Sequence, residues 1–160
     1  MLPADAWEYA DSLREPEVRE WQGWDDTTIE TMTLQYSMIM QLRFRGHPTH
    51  LAIRNRDNTH WLGQFSVAPD QADPLGDTVF LGWWLAAHAR GKGLAHESLA
   101  MVLQWLHDEV GVGSVRIGTR SDNERALRMI ARSGARFVEE RPTPLPNSTT
   151  PMGKWFVHEV

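Results

Sequence analysis

Apolar residues recur at two different spacings along this 160-residue chain, and the changes between them outline its elements. From Pro3 to Leu13, the positions Ala6, Tyr9, Ala10 and Leu13 keep the three-and-four spacing of one helix face. Glu15-Pro16 ends that helix, because proline pushes the residue before it out of helical conformation. A second helix opens at Asp26-Thr27, where Thr27-x-x-Glu30 has the pattern of a capping box. Its apolar face carries Ile29, Met32, Tyr36, Ile39 and Met40, and Gly46-His47-Pro48 stops it.

The spacing then shortens to that of strands. Thr49 to Arg54, Trp61 to Ala68 and Thr78 to Ala86 read as three of them. Arg56-Asp57-Asn58 forms the first turn, and a longer loop holds Pro69, Asp70, Asp73, Pro74, Gly76 and Asp77. A helix from Gly93 buries Leu99, Val102, Leu103 and Leu106, and Gly111 and Gly113 close it. Ser114 to Thr119 is a fourth strand. Ser121-Asp122-Asn123 caps a helix that runs to Ser133 and stops at Gly134. Arg136 to Glu140 and Trp155 to Val160 are the last strands. This order predicts one domain over residues 1–160, a mixed α/β sheet with a single βαβ crossover.

Composition narrows the function. Hydrophobic residues are 41% and charged residues 23%, as in an ordinary globular domain. No apolar run is long enough to cross a bilayer and Met1-Leu2-Pro3 begins no signal peptide, so a cytoplasmic protein without membrane contact is expected. The absence of cysteine excludes disulfides, a thiol nucleophile and thiolate metal sites. A net charge of −5 argues against nucleic-acid binding. His47-x-x-His50 has Pro48 inside it and no third ligand nearby, so it reads as loop histidines and no metal is expected.

The chemistry-bearing string is Arg90-Gly91-Lys92-Gly93-Leu94-Ala95, between the strand Thr78–Ala86 and the following helix. Glycines there bare a row of N–H groups at a helix N-terminus, where the helix dipole also favours an anion. Arg90 and Lys92 add positive charge. A pyrophosphate is the simplest ligand. A Rossmann-type nucleotide site is disfavoured, because the string is Arg-Gly-Lys-Gly rather than G-x-G-x-x-G and no acidic residue for a ribose ends a following strand.

With these elements in place, LGWWLAAHARGKGLAHESL (Leu81 to Leu99) resembles the strand, pyrophosphate turn and helix of the GNAT superfamily of acyl-CoA-dependent N-acetyltransferases. SDNERALRMIARSGARF (Ser121 to Phe137) resembles that family's next helix, with Asn123, Ala126 and Gly134 at its spacings. EPEVREWQGW (Glu15 to Trp24) is similar to the branch of ribosomal-protein N-terminal acetyltransferases and to some aminoglycoside 6′-N-acetyltransferases. The resemblance implies a mostly antiparallel sheet with the two crossover strands splayed apart. It also implies acetyl-CoA as cosubstrate and direct attack by an amine acceptor. Trp84, Leu85, Ala86, Arg90, Gly91, Lys92, Gly93, Leu94, Ala95 and Asn123 would hold the cofactor, and the Leu85 N–H would be the oxyanion donor. Trp21, Trp24, Asp25, Asp26 and Glu30 would receive the acceptor.

The chain departs from the family in four places. The usual first strand is missing, which leaves the edge beside Thr49–Arg54 open and predicts a homodimer or an upstream extension. The usual tyrosine, serine and glutamate positions hold Ile130, Ala126 and Phe80. Glu20, Asp25, Asp26, Glu30, His88 and Glu97 remain candidate bases. The alternative is an acyl-CoA-binding domain without catalysis.

Overall fold

The protein is described by a computed structural model covering residues 1–70 and 76–160, so Asp73 and Pro74 of the long loop lie outside the described residues. A 3-10 turn, Pro3–Asp5, leads into α1 (Ala6–Leu13). Pro16 ends nothing further; it opens α2 (Pro16–Gln22), a helix that the periodicity does not reveal. Proline suits the first helical position, because the N–H it lacks would have no partner there. Gly23, in left-handed conformation at φ +65°, ends α2. The next helix, α3 (Asp26–Leu34), is capped by Asp25 and not by Thr27: the Asp25 carboxylate accepts the Thr28 N–H at 2.7 Å.

The second helix also stops sooner than expected. It breaks at Gln35, one short turn α4 (Tyr36–Ile39) follows, and Gly46 belongs to something else. The Thr33 hydroxyl donates to the Ile29 carbonyl at 2.8 Å just before the break, a back-bond that loosens a helix. Arg45 and Gly46 take φ +50° and +83°, the turn that closes a two-residue hairpin between β1 (Arg43–Phe44) and β2 (His47–Pro48).

Six strands make the main sheet. They are β3 (His50–Arg54), β4 (Trp61–Pro69), β5 (Thr78–Leu85), β6 (Ser114–Arg120), β7 (Arg136–Pro142) and β8 (Met152–Glu159), in the order β3-β4-β5-β6-β8-β7. Only β5 and β6 are parallel, joined through α5 (Leu94–Asp108) as the crossover pattern requires. Helix α6 (Glu124–Arg132) connects β6 to β7, capped by Asn123 and stopped at Gly134. No strand precedes α1 among the described residues, so β3 forms the edge.

Each face of the sheet has its own core. Leu99, Val102, Leu103 and Leu106 of α5 pack on Val79, Leu81, Val115 and Ile117, all buried. The other face holds Tyr9, Leu13, Val18, Trp61 and Trp84 under the first helices. The indole of Trp84 donates to the Ser12 hydroxyl at 3.1 Å, fastening α1 to the C-terminal end of β5. Burial pushes the Tyr36 hydroxyl up to about 12, and that hydroxyl donates to the Leu2 carbonyl at 2.6 Å.

Candidate functional site

Strands β5 and β6 begin as neighbours and then part. Their pairing runs from Thr78–Ser114 to Leu81–Ile117 and no further. The direction of the free amides follows from the other side of β5. Ala86 donates to the Leu62 carbonyl at 2.9 Å, and Asp70 donates to that of Thr78 at 3.2 Å. Only alternate residues of an antiparallel strand exchange bonds with a given neighbour. Thr78, Phe80, Gly82, Trp84 and Ala86 therefore face β4, while Leu81, Trp83 and Leu85 turn their backbone groups toward β6. Past Leu81 there is no β6 to meet them. The carbonyls of Trp83 and Leu85 are taken by side chains, Gln22 at 3.5 Å and Arg90 at 2.8 and 3.0 Å. Their N–H groups are left facing the gap.

That gap is the lower part of a cleft of about 940 Å³. Its upper end is the turn before α5. Gly91 and Gly93 have φ +76° and +79°, conformations that glycine adopts at no steric cost, and a Cβ at either would point into open space. The N–H groups of Gly91, Lys92, Gly93, Leu94 and Ala95 donate to no acceptor among the described residues. Glycines, bare amides and a 15-residue helix behind them make a ready anion cradle.

The family follows from sequence as well. Residues 1–136 match the family described as acetyltransferase (GNAT) domain. The chain belongs to the GNAT acetyltransferase family. Solved structures share its fold. RimL, a ribosomal L7/L12 α-N-protein acetyltransferase in complex with coenzyme A, is 14% identical with a TM-score of 0.81, over 100% of this chain and 91% of its own. A ribosomal-protein-S5-alanine acetyltransferase from Vibrio fischeri is also 14% identical, with a TM-score of 0.80, over 99% and 90%. A spermidine N-acetyltransferase chimera from Vibrio cholerae is 10% identical with a TM-score of 0.79, over 99% and 92%. No curated protein sequence matches this chain.

In this GNAT domain the expected site residues divide into two groups. Trp84, Leu85, Arg90, Gly91, Gly93, Ala95, Asn123 and Trp21 line the cleft. Ala86 is buried, Lys92 is exposed, and Leu94 contributes its backbone at the first helical position. Arg90 does something that its place in the motif does not suggest. Its guanidinium leaves the anion cradle and grips Glu15, Glu17 and the Leu85 carbonyl, binding α2 to the end of β5. Asn123 accepts the Ala126 N–H at 3.1 Å through its side chain, so the cap of α6 sits on the cleft wall.

The expected acceptor acids are placed elsewhere. Asp25 caps α3, and Asp26 pairs with Arg19 at 2.9 Å with 90% of its side chain exposed. Glu30 is exposed and Trp24 stacks edge-on against Trp84; none of these four is in the cleft wall. The side chain of Thr28, followed by its N–H, holds the Asp25 carboxyl below its ordinary range. The wall instead takes residues that the sequence pattern misses: Glu17, Val18 and Gln22 of α2, Thr143 and Leu145 of the loop before β8, and Trp155. A proline at the first position of a helix was the available signal for α2. Nothing local marked the loop.

The positions where the family resemblance leads one to expect proton carriers are apolar in space as well as in sequence. Ile130 is fully buried in the core beneath α6. Phe80 meets Trp155 edge-on at 5.9 Å, and Ala126 presents only a methyl group. Among the described residues, the ionisable side chains lining the cleft are Glu17, Arg90, Arg120, Arg125, Arg128 and Arg132.

Proposed function

We propose that this protein transfers the acetyl group of acetyl-CoA to a primary amine by direct attack, with both substrates bound at once. The observation that carries the reading is the parted strand pair, whose unpaired amides run toward the glycine turn at the N-terminus of α5. The residues fit the thioester substrate along its length. Its diphosphate matches the open N–H row from Gly91 to Ala95, and Arg125, Arg128 and Arg132 on α6 supply positive charge on the facing wall. The pantetheine amides match the backbone edge of β5 at Trp83.

The Leu85 N–H then takes the oxyanion that develops as the amine adds to the thioester carbonyl. One such donor is worth about 3 kcal/mol of barrier. The adduct then collapses directly: the C–S bond breaks, the CoA thiolate leaves and takes up the proton shed by the nitrogen, and no covalent enzyme intermediate is needed. The amine must arrive neutral, and the aromatic surroundings favour that form by desolvation. The acceptor in this reading is a small amine or a protein N-terminus.

The test is thiol release from acetyl-CoA with a panel of amines, beside calorimetry with CoA. Turnover with at least one amine and micromolar CoA binding are expected. Leu85→Pro removes the N–H without breaking a bond to β4, and should lower kcat about a hundredfold while leaving CoA affinity within a few-fold. The second reading, acyl-CoA binding without catalysis, is favoured by the apolar Ile130, Ala126 and Phe80. CoA binding without turnover on any amine would establish it.

A further inference from the structure

Among the described residues, the cleft wall holds several guanidinium groups and one carboxylate, that of Glu17 on α2. Glu20, three residues further along the same helix, is exposed and takes no part in the wall. Both oxygens of Glu17 are occupied, each by a different element. Oε2 accepts from Arg90 at 2.8 Å, and Oε1 accepts from Arg125 of α6 at 2.7 Å. The two partners are not equally committed. Arg90 has 23% of its side chain exposed and also holds Glu15 and the Leu85 carbonyl. That puts Glu17 one guanidinium away from the residue whose N–H receives the oxyanion. Arg125 has 75% of its side chain exposed and makes no other ion pair or hydrogen bond among the described residues.

The Glu17–Arg125 pair joins helices from opposite faces of the sheet. Helix α2 buries Val18 in the core that holds Trp84, and α6 buries Ile130 in the core beneath α5. Their contact therefore crosses the sheet at the end where β5 and β6 have parted, which is the end the thioester must enter. An exposed carboxylate–guanidinium pair adds little stability and parts readily. A diphosphate carries more negative charge and offers a guanidinium several oxygens at once. Arg125 lines the same cleft as Gly91 and Gly93 of the anion cradle.

We infer that Glu17 is the carboxylate that receives the acceptor's ammonium group, and that Arg125 masks it until the phosphates of CoA draw that arginine away. The inference rests on the acetyltransferase reading above. With Arg125 moved to the diphosphate, Oε1 is bared when the thioester is in place. The ammonium passes one proton to Oε1, and the freed lone pair forms the C–N bond at the thioester carbonyl. The C–S bond then breaks, and the thiolate takes the second proton from the nitrogen. The proton on Glu17 passes to water. Glu17 thus supplies the proton acceptor that Ile130, Ala126 and Phe80 cannot.

The experiment pairs calorimetry on CoA with kcat/KM for the fastest of n-butylamine, spermidine and an alanine-initiated peptide, at saturating acetyl-CoA. Glu17→Gln should bind CoA about threefold more tightly, the scale of one surface ion pair that no longer competes for Arg125. That gain should vanish in an Arg125→Gln background. The same variant should lose at least about a hundredfold in kcat/KM near pH 7. The deficit should narrow as pH rises toward the amine's own pKa, about 10.4 for an alkyl ammonium, where solvent has already removed the proton. A merely structural role would leave the deficit constant across pH. If Glu17→Gln fails to fold, Glu17→Asp keeps Arg90 but falls one methylene short of Arg125, and should show the same tightening of CoA. Unchanged or weaker CoA binding, or a deficit that does not move with pH, overturns the inference and leaves the acetyltransferase reading standing. Bound CoA with no turnover of any amine by the wild type overturns both.

Discussion

Gly93 shows how one residue serves the site more than the fold. Its φ of +79° favours glycine, yet nothing in the chain lies within 4 Å of where a Cβ would stand. Gly93→Ala should therefore cost the fold about 1 kcal/mol of backbone strain and no steric clash. A phosphate brought against the turn would meet the added methyl. CoA affinity should fall about tenfold, a larger effect than the strain alone produces. Calorimetry and a melting curve on the same variant separate the two. Equal affinity in variant and wild type would show that the diphosphate lies elsewhere. Arg90 makes the complementary point: it lies in the anion motif and spends its guanidinium on two glutamates and a carbonyl.

Elements are tied to one another by a few polar contacts that titrate. His107 of α5 donates from Nδ1 to the Val112 carbonyl at 2.7 Å, which fixes its tautomer. Its Nε2 then accepts from Nδ1 of His158 on β8 at 2.9 Å. Desolvation, and after it the neighbouring His107, hold His158 below its ordinary 6.5, against a smaller opposing pull from the Ser133 backbone. A histidine whose folded pKa is lowered binds fewer protons folded than unfolded. Its contribution to stability is full above about 6.5 and is lost as pH falls toward and through the folded value. His50, also lowered by burial and then by the N-terminal charge, acts in the same direction. Melting temperature should fall from pH 7 to pH 5, and His158→Gln should flatten that slope in part. A variant whose slope matches the wild type would show that the histidine pair does not couple α5 to β8.

At the scale of the whole molecule, the main sheet has two edges among the described residues, β3 and β7. Strand β7 is exposed along its length and carries Arg136, Glu139, Glu140 and Arg141, the charges that keep an edge from pairing. Strand β3 lacks that defence over Leu51, Ala52 and Ile53. Self-association through β3 is the expected outcome, read as a dimer by sedimentation. The Thr49 carbonyl accepts from Val67 at 2.7 Å, so alternate residues of β3 face β4 and Ala52 turns its N–H outward. Ala52→Pro should return the protein to monomer without loss of a β4 bond. A wild-type monomer at tens of micromolar, a rough working range for weak interfaces, would remove β3 as an interface.

Periodicity alone determined most elements and their order. The four residues expected to bury α5, Leu99, Val102, Leu103 and Leu106, are the four that do so. Asn123 as cap, Gly134 as stop and the crossover around the glycine turn were equally legible, because each rests on contacts within a few residues of itself. What the sequence could not assign was the partner of a charge. Arg90 and Glu17 are 73 residues apart, and Arg125 and Glu17 are 108 apart. Asp25 and Asp26 looked like substrate acids until α3 took one as its cap and Arg19 took the other. The cleft wall was hidden for the same reason, since Trp21, Gly118 and Trp155 line it together only after β8 is laid between β6 and β7. Local patterns set the strands and helices; packing decided which side chains remained free to do chemistry.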